Sequence, residues 1–302
     1  MELADRAGPS AILPGMAGRN IAAKPGVTIV GAGSLASALA PALLEAGYRI
    51  DGIVARAGAA SRRRAQVLAR KVNTLVRNAP QPDSCIVWFC VPDGQIARAA
   101  GTFADTVSWR GKVALHSSGA LTSDELSALR HRGAATASVH PLMTFVRGSK
   151  PVLAGTPFAI EGDARAVRAA RALVRALPGQ PFLTDKRNKA AYHAWGMFAS
   201  PLLTSLLETA ERVAAAAGVP GKEARRRMLP ILRQTLENYA ALGAAGALSG
   251  PIQRGDAATV KKHLRVLRRM PEARSTYVAL ARASLRYLPA KNRSELSRLL
   301  KV

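Results

Sequence analysis

The chain has 302 residues, of which 48% are hydrophobic and 21% charged, enough for one large or two ordinary domains with real cores, and this excludes a disordered chain, a collagen-like fibre and a coiled coil. Lys and Arg number 44 against 19 Asp and Glu, a net charge of +25, and such a field attracts polyanions. The basic residues are scattered along helical stretches, aromatics are only 5%, and there is no basic arm or zinc-finger spacing, so a solvated basic surface or an anionic small-molecule ligand is favoured over nucleic acid.

Residues 1–26 carry Pro9, Pro14, Pro25 and several glycines without periodicity and read as a loose tail, lacking the basic start and apolar run of an export signal. From Val27 the pattern changes. Val27 to Val30 reads as a strand, and Gly31-Ala-Gly33-Ser-Leu-Ala36 follows it directly. A helix is expected from there to about Ala46, closed by Gly47, and Arg49 to Ala55 reads as the next strand. Further strands are expected at Cys85 to Val91, Lys112 to His116, Ala135 to Val139 and Pro157 to Glu161. Helices separate them around Ser61 to Arg70, Asp93 to Ala104, Ser123 to His131 and Arg165 to Leu177. This alternation predicts a parallel, doubly wound α/β sheet over 27–182.

Cys85 and Cys90 share one expected strand, roughly 17 Å apart and beyond disulfide reach, so a reducing cytoplasm is expected. Over 183–302 the pattern becomes all-helical, with segments at Lys186 to Ala217, Lys222 to Leu242, Ala257 to Met270, Glu272 to Leu288 and Ser294 to Leu300. No apolar run reaches the ~18 residues of a membrane helix.

The glycine turn has the G-x-G-x-x-A form of a dinucleotide site. Its first glycine permits the tight turn, its second lets backbone approach a pyrophosphate, and the small third residue lets helix pack on strand. Gly31, Gly33, Ser34 and Leu35 are therefore cofactor candidates, with the helix N-terminus offered to the phosphates. Twenty residues beyond Ala36, where an NAD site carries Asp or Glu, stands Arg56, with Ser61 and Arg62 close behind. An arginine and a hydroxyl there suit a 2′-phosphate, which predicts NADP over NAD. A solvated helix start is the plainer reading of the same arginines.

In open α/β sheets ligands gather at the carboxyl ends of strands. Three such ends carry polar groups here: Val91-Pro92-Asp93, His116-Ser117-Ser118-Gly119 and Ser138-Val139-His140-Pro141. Val91 and Pro92 join the cofactor candidates.

These blocks, together with Tyr192-His193-Ala194 and Gly250-Pro-Ile-Gln-Arg-Gly-Asp256 followed by His263, resemble the family of Rossmann-like proteins with a DUF2520 C-terminal domain, over about residues 27–290. That family is similar to pyrroline-5-carboxylate reductase and the 6-phosphogluconate and β-hydroxyacid dehydrogenases. The resemblance implies an N-terminal NADP-binding domain and an all-helical C-terminal domain of the 6-phosphogluconate dehydrogenase type that helps form a homodimer. It implies an oxidoreductase that moves a hydride to or from a small carbonyl, imine or hydroxy compound held between the domains. An F420–NADP oxidoreductase and a dinucleotide-binding regulator without turnover are the alternatives. One position departs from the family: Pro201 follows Ser200 where an Asn is expected, and proline breaks the helical hydrogen-bond ladder.

The candidate catalytic groups are His193, His140 and Ser200, with His193 on a helical face shared by Gly196, Met197, Ser200 and Thr204, and Tyr192 on the opposite, core-facing stripe. Ser117, Ser118, Arg254 and Asp256 are candidates for the substrate, Arg254 as a clamp for a carboxylate or phosphate. Asp256 also reads as a helix N-cap. No histidine or carboxylate pair has metal-site spacing, and no nucleophile elbow or phosphate-loop lysine is present, which argues against a hydrolase.

Overall fold

The computed structural model describes residues 24–149 and 151–301, so most of the segment read as a tail lies outside the described residues. The chain divides into two compact units after His193.

In the first unit β1 (Val27–Val30) is buried at all four positions, as a strand covered by helices on both faces must be. It is followed by α1 (Ser34–Glu45), β2 (Ile50–Val54), α2 (Ala59–Lys71), β3 (Val76–Arg77), β4 (Ile86–Phe89), α3 (Ile96–Phe103) and β5 (Val113–His116). Then come α4 (Ser127–His131), β6 (Ala135–Pro141), β7 (Pro157–Gly162), α5 (Ala164–Ala176) and β8 (Gln180–Leu183). The strands make one sheet in the order β3-β2-β1-β4-β5-β6-β7-β8. The chain leaves β1 towards β2 on one side and returns through β4 on the other, so the order reverses between β1 and β4, the point where doubly wound sheets open a crevice for ligands.

The alternation predicts a wholly parallel sheet, but β7 runs antiparallel to β6. The described residues between 142 and 156 contain no helix, and without a crossover helix the chain can return antiparallel. The reversal sets Glu161 opposite Ser138 and Ala159 opposite His140. The core has two layers. On one face Val27, Ile29, Leu39, Leu43, Leu68 and Leu173 pack together, and on the other Val87, Phe89, Ile96, Trp109, Leu126 and Leu129 do so.

The helix α6 (Lys189–Ala199) begins in this unit and crosses the division. The single helix expected from Lys186 to Ala217 is interrupted at Ser200, where φ is −135° and ψ −74°, and Pro201 starts α7 (Pro201–Ala216). Proline has no N–H to continue α6, yet its fixed φ suits a first helical position. The face drawn from His193 to Thr204 is therefore split between two helices.

The second unit continues with α8 (Gly221–Ala247), α9 (Pro251–Arg254), α10 (Ala257–Leu267), α11 (Pro271–Tyr287) and α12 (Arg293–Leu299). Its core is Val260, Leu264, Val278, Ala281, Leu285, Leu296 and Leu300, all from α10 onward. By contrast α7 buries no residue and α8 only Ala224, while Leu203, Leu229, Ile231, Leu236, Tyr239 and Leu242 stand exposed. Among the described residues no helix is long and apolar enough to cross a membrane.

Candidate active site

The glycine turn is built as a close approach. Gly31 has φ +108°, and a Cβ there would lie 2.4 Å from the Cys90 carbonyl oxygen and 3.2 Å from Val91 Cγ1, so only glycine lets β1 and β4 meet at this point. Its N–H donates to the Val54 oxygen at 2.8 Å. Gly33 precedes α1 with open space where a Cβ would be, and α1 has neither a side-chain cap nor an acidic residue in its first turn. Its unsatisfied N–H groups and positive end are what an anion requires.

Past the end of β2, Arg56 is exposed and Ser61 half-buried, while Arg62 donates to Asn78 Oδ1 at 3.2 Å. Val91 packs at the glycine turn and Pro92 is exposed beside it. A cavity of about 1270 Å³ opens at Gly33 and Ser34 and follows α1 past Pro41 towards Arg63, Arg64 and Arg147. No strand-end histidine lines it, so it skirts the helix and is not a chamber for the chemistry below.

The ends of β5 and β6 meet the start of α6. His116 closes β5 with both nitrogens engaged: the Ser118 N–H donates to Nδ1 at 3.1 Å, and Nε2 donates to the Thr122 oxygen at 2.9 Å. Ser118 Oγ donates to Asp93 Oδ2 at 2.6 Å and accepts from the N–H groups of Ala120 and Leu121. Ser117 Oγ accepts from the Trp88 indole at 2.8 Å. These serines and His116 shape the turn, and at its apex Gly119 leaves room for others. A Cβ on Gly119 would come within 2.8 Å of both His140 Nε2 and His193 Cδ2.

The two imidazoles are edge-on, with centroids 6.4 Å apart. His140 Nδ1 lies 2.7 Å from the Tyr192 hydroxyl. Burial pushes the Tyr192 phenol up to about 12, so it keeps its proton; with that proton donated to Nδ1, the tautomer the arrangement supports carries the His140 proton on Nε2, the nitrogen facing Gly119.

Beneath this layer lies Lys189, 1% exposed. Its Nζ donates to the Ser118 oxygen at 2.9 Å and to Ser138 Oγ at 2.7 Å, and Ser138 Oγ donates to the same Ser118 oxygen at 3.0 Å. Glu161, 4% exposed, accepts from the N–H and hydroxyl of Ser123 at 2.7 and 2.9 Å. Burial lowers Lys189 to about 8 against the opposing pull of Glu161 and Asp93. It lowers His140 to about 4, helped by the Lys189 charge and then by His193. His116 is also lowered to about 4, by burial first, with its bond to the Thr122 carbonyl working the other way. His116 and His140 are therefore neutral at pH 7.

The structure thus brings His140 and His193 together at Gly119 and places Ser117 and Ser118 in the supporting turn. Ser200, Arg254 and Asp256 belong to the second unit. Ser200 is half-buried at the break before α7, and Arg254 is exposed at the end of α9. Both carboxylate oxygens of Asp256 accept from Thr259, one from its N–H and one from its hydroxyl, which is the N-cap geometry. Among the described residues no group of three His, Cys, Asp or Glu can hold a metal.

Three contributors went unread in the sequence: Lys189, Glu161 and the hydroxyl of Tyr192. Glu161 alone left a trace, as the one charge in a strand otherwise reading Pro-Phe-Ala-Ile-Gly.

A glycine turn at the switch point of a doubly wound sheet, with a polar cluster at the neighbouring strand ends, is the layout of a Rossmann-type nucleotide-binding unit. The sequence agrees: residues 14–141 match the Rossmann-like domain and residues 156–284 the domain of unknown function DUF2520. The chain belongs to the family that joins these two domains. No curated protein matches it in sequence.

Among solved structures it is similar to protein TM1727 from Thermotoga maritima, with 23% identity and a TM-score of 0.66 over 85% of this chain and 96% of that one. It is also similar to protein BF3122 from Bacteroides fragilis, with 21% identity and a TM-score of 0.72 over 86% and 97%. An imine reductase from Myxococcus stipitatus in complex with NADP+ shares 18% identity and a TM-score of 0.58 over 92% and 100%.

Proposed function

We propose that this protein is an NADP-dependent oxidoreductase that passes a hydride between the nicotinamide and a small carbonyl, imine or hydroxy compound. The observation that carries the reading is the occurrence in one sheet of an uncapped glycine turn and, two strands away, a pair of imidazoles meeting over a glycine. Gly31, Gly33, Ser34 and Leu35 hold the pyrophosphate, Val91 and Pro92 flank it, and Arg56, Ser61 and Arg62 surround the 2′-phosphate. The bound dinucleotide supplies the hydride chemistry. Neutral His140 donates from Nε2 to the oxygen or nitrogen of the polarised double bond, and His193 delivers the proton. The similarity to an imine reductase solved with NADP+ supports the cofactor and the class of double bond.

The excess of cationic residues suits an anionic substrate, for which Arg254 is the proposed clamp. The exposed apolar residues of α7 and α8 support a homodimer through the helical unit, since a monomer seldom leaves so many large apolar side chains on one pair of helices. Unpaired Cys85 and Cys90 fit a reducing cytoplasm.

The test is a fluorescence titration with NADPH and NADH, repeated on Arg56→Ala. The expected result is saturable binding that favours NADPH, with the preference falling about tenfold or more in the variant through loss of one charge-assisted phosphate contact. Tighter NADH binding would overturn the cofactor assignment. Absence of any binding would leave the glycine turn a purely architectural device.

A further inference from the structure

The polar cluster rests on a cation that the hydride chemistry does not call for. Lys189 Nζ, Ser138 Oγ and the Ser118 oxygen form a closed triangle with sides of 2.7, 2.9 and 3.0 Å, drawn from the first residue of α6, the middle of β6 and the turn after β5. We propose that Lys189 is a positioning residue, locking the Ser118–Gly119 turn to β6 and α6 so that His140 and His193 meet at Gly119, without itself touching the substrate.

Its burial supports the role, because an ammonium that is 1% exposed lies behind the turn and not on the surface a ligand would reach. Burying a charge is costly unless it is hydrogen-bonded and attracted by opposite charge; the hydrogen bonds are present, and the charges of Glu161 and Asp93 favour the ammonium. Glu161 stands in register with Ser138 across β6 and β7 and is held by Ser123, and Asp93 approaches through Ser118. An apolar side chain could fill the same space but could not bind the Ser118 oxygen. Lys189 also occupies the first residue of the helix whose fourth and fifth residues are Tyr192 and His193, so the same anchor fixes the phase of the helix that carries them.

The charge has a second effect. The groups that face His140 are Asp93 after β4, His116 on β5, and Lys189, Tyr192 and His193 on α6. Of these Lys189 is the one full positive charge, so it opposes protonation of His140 and keeps Nε2–H a donor.

The turnover arm of the test rests on the proposed function, and the titration arm does not. Histidine Hε1 resonances are followed by NMR against pH in the cofactor-free protein for wild type, Lys189→Met and Ser138→Ala, beside NADPH affinity and turnover on an imine and carbonyl panel. Lys189→Met should raise the His140 midpoint by about one pH unit and lower kcat at least tenfold with unchanged NADPH affinity. Ser138→Ala keeps the charge but cuts the tie, so it should lower kcat and leave the midpoint in place. An unmoved midpoint in Lys189→Met, even with lost stability, overturns the proposal. If Lys189→Met does not fold, an unchanged kcat in Ser138→Ala overturns it. Failure of wild type to bind NADPH sinks the oxidoreductase reading instead and leaves the titration arm to decide the role of Lys189.

Discussion

The ends of β5 and β6 are neighbours in one sheet, and each carries a histidine held neutral by burial, yet the two are built for opposite purposes. His116 is fully buried and spends both nitrogens on backbone groups of its own turn. His140 is half-buried, gives one nitrogen to Tyr192 and presents the other at Gly119. A depressed pKa therefore does not by itself mark a reactive group. What separates the two is where the second nitrogen points.

Two alanine substitutions put this contrast at risk. His140→Ala should fold and bind NADPH like wild type while turnover drops roughly 100- to 1,000-fold, the usual loss when a donor to the reacting atom is removed. His116→Ala should instead lose stability, about 2–4 kcal/mol by denaturant unfolding, because a void replaces the buried ring, the Ser118 N–H loses its acceptor and the Thr122 carbonyl keeps only the Glu125 N–H. If both variants only unfold, or both only lose turnover, the distinction between the two strand ends collapses.

The next effect is in pH. His116 titrates near 4 in the folded state, against an ordinary value of 6.5, so the folded chain binds fewer protons than the unfolded one between those limits. The contribution of this residue should be level above about pH 6.5 and fall as the pH drops towards 4, by at most roughly 3 kcal/mol. Chemical denaturation at a series of pH values checks the sign. His116→Gln should reduce the slope by about half, His140 with the same depression supplying the rest, and a slope that persists unchanged would assign the acid sensitivity to other groups.

Much of this arrangement could be read from residues alone, and the limits have physical causes. The glycine turn was legible because its chemistry is local: β1, the turn and α1 are consecutive, and close approach demands small residues at fixed spacing. The histidines at 116 and 140 were legible as strand-end groups for the same reason. Lys189 was not, because helical spacing says which face a side chain is on but not which strand closes over it. The same spacing put Tyr192 on a core stripe, which is right for its ring, and hid the hydroxyl that reaches His140. Glu161 depends on the antiparallel return of β7, a direction that no residue pattern in Pro157–Gly162 encodes. The break at Ser200 was half legible, since Pro201 announces a disturbance in a helix but not whether it bends or ends.

The smallest expected effect is the most discriminating. Tyr192→Phe removes one hydroxyl and leaves the ring against His140 and Phe182, so stability should change by only about 0.5–1.5 kcal/mol. Without the phenol on Nδ1 the two neutral tautomers of His140 are no longer separated by a 2.7 Å hydrogen bond, and part of the population moves its proton off Nε2. Turnover should then fall a few-fold, in proportion to the lost Nε2–H form, while NADPH affinity stays the same. Nitrogen-15 shifts of the imidazole report the populations directly. A wild-type His140 with its proton on Nδ1 would mean that the phenol accepts rather than donates, and Nε2 would then be an acceptor facing Gly119, a group suited to taking a proton from a hydroxy substrate and not to polarising a double bond.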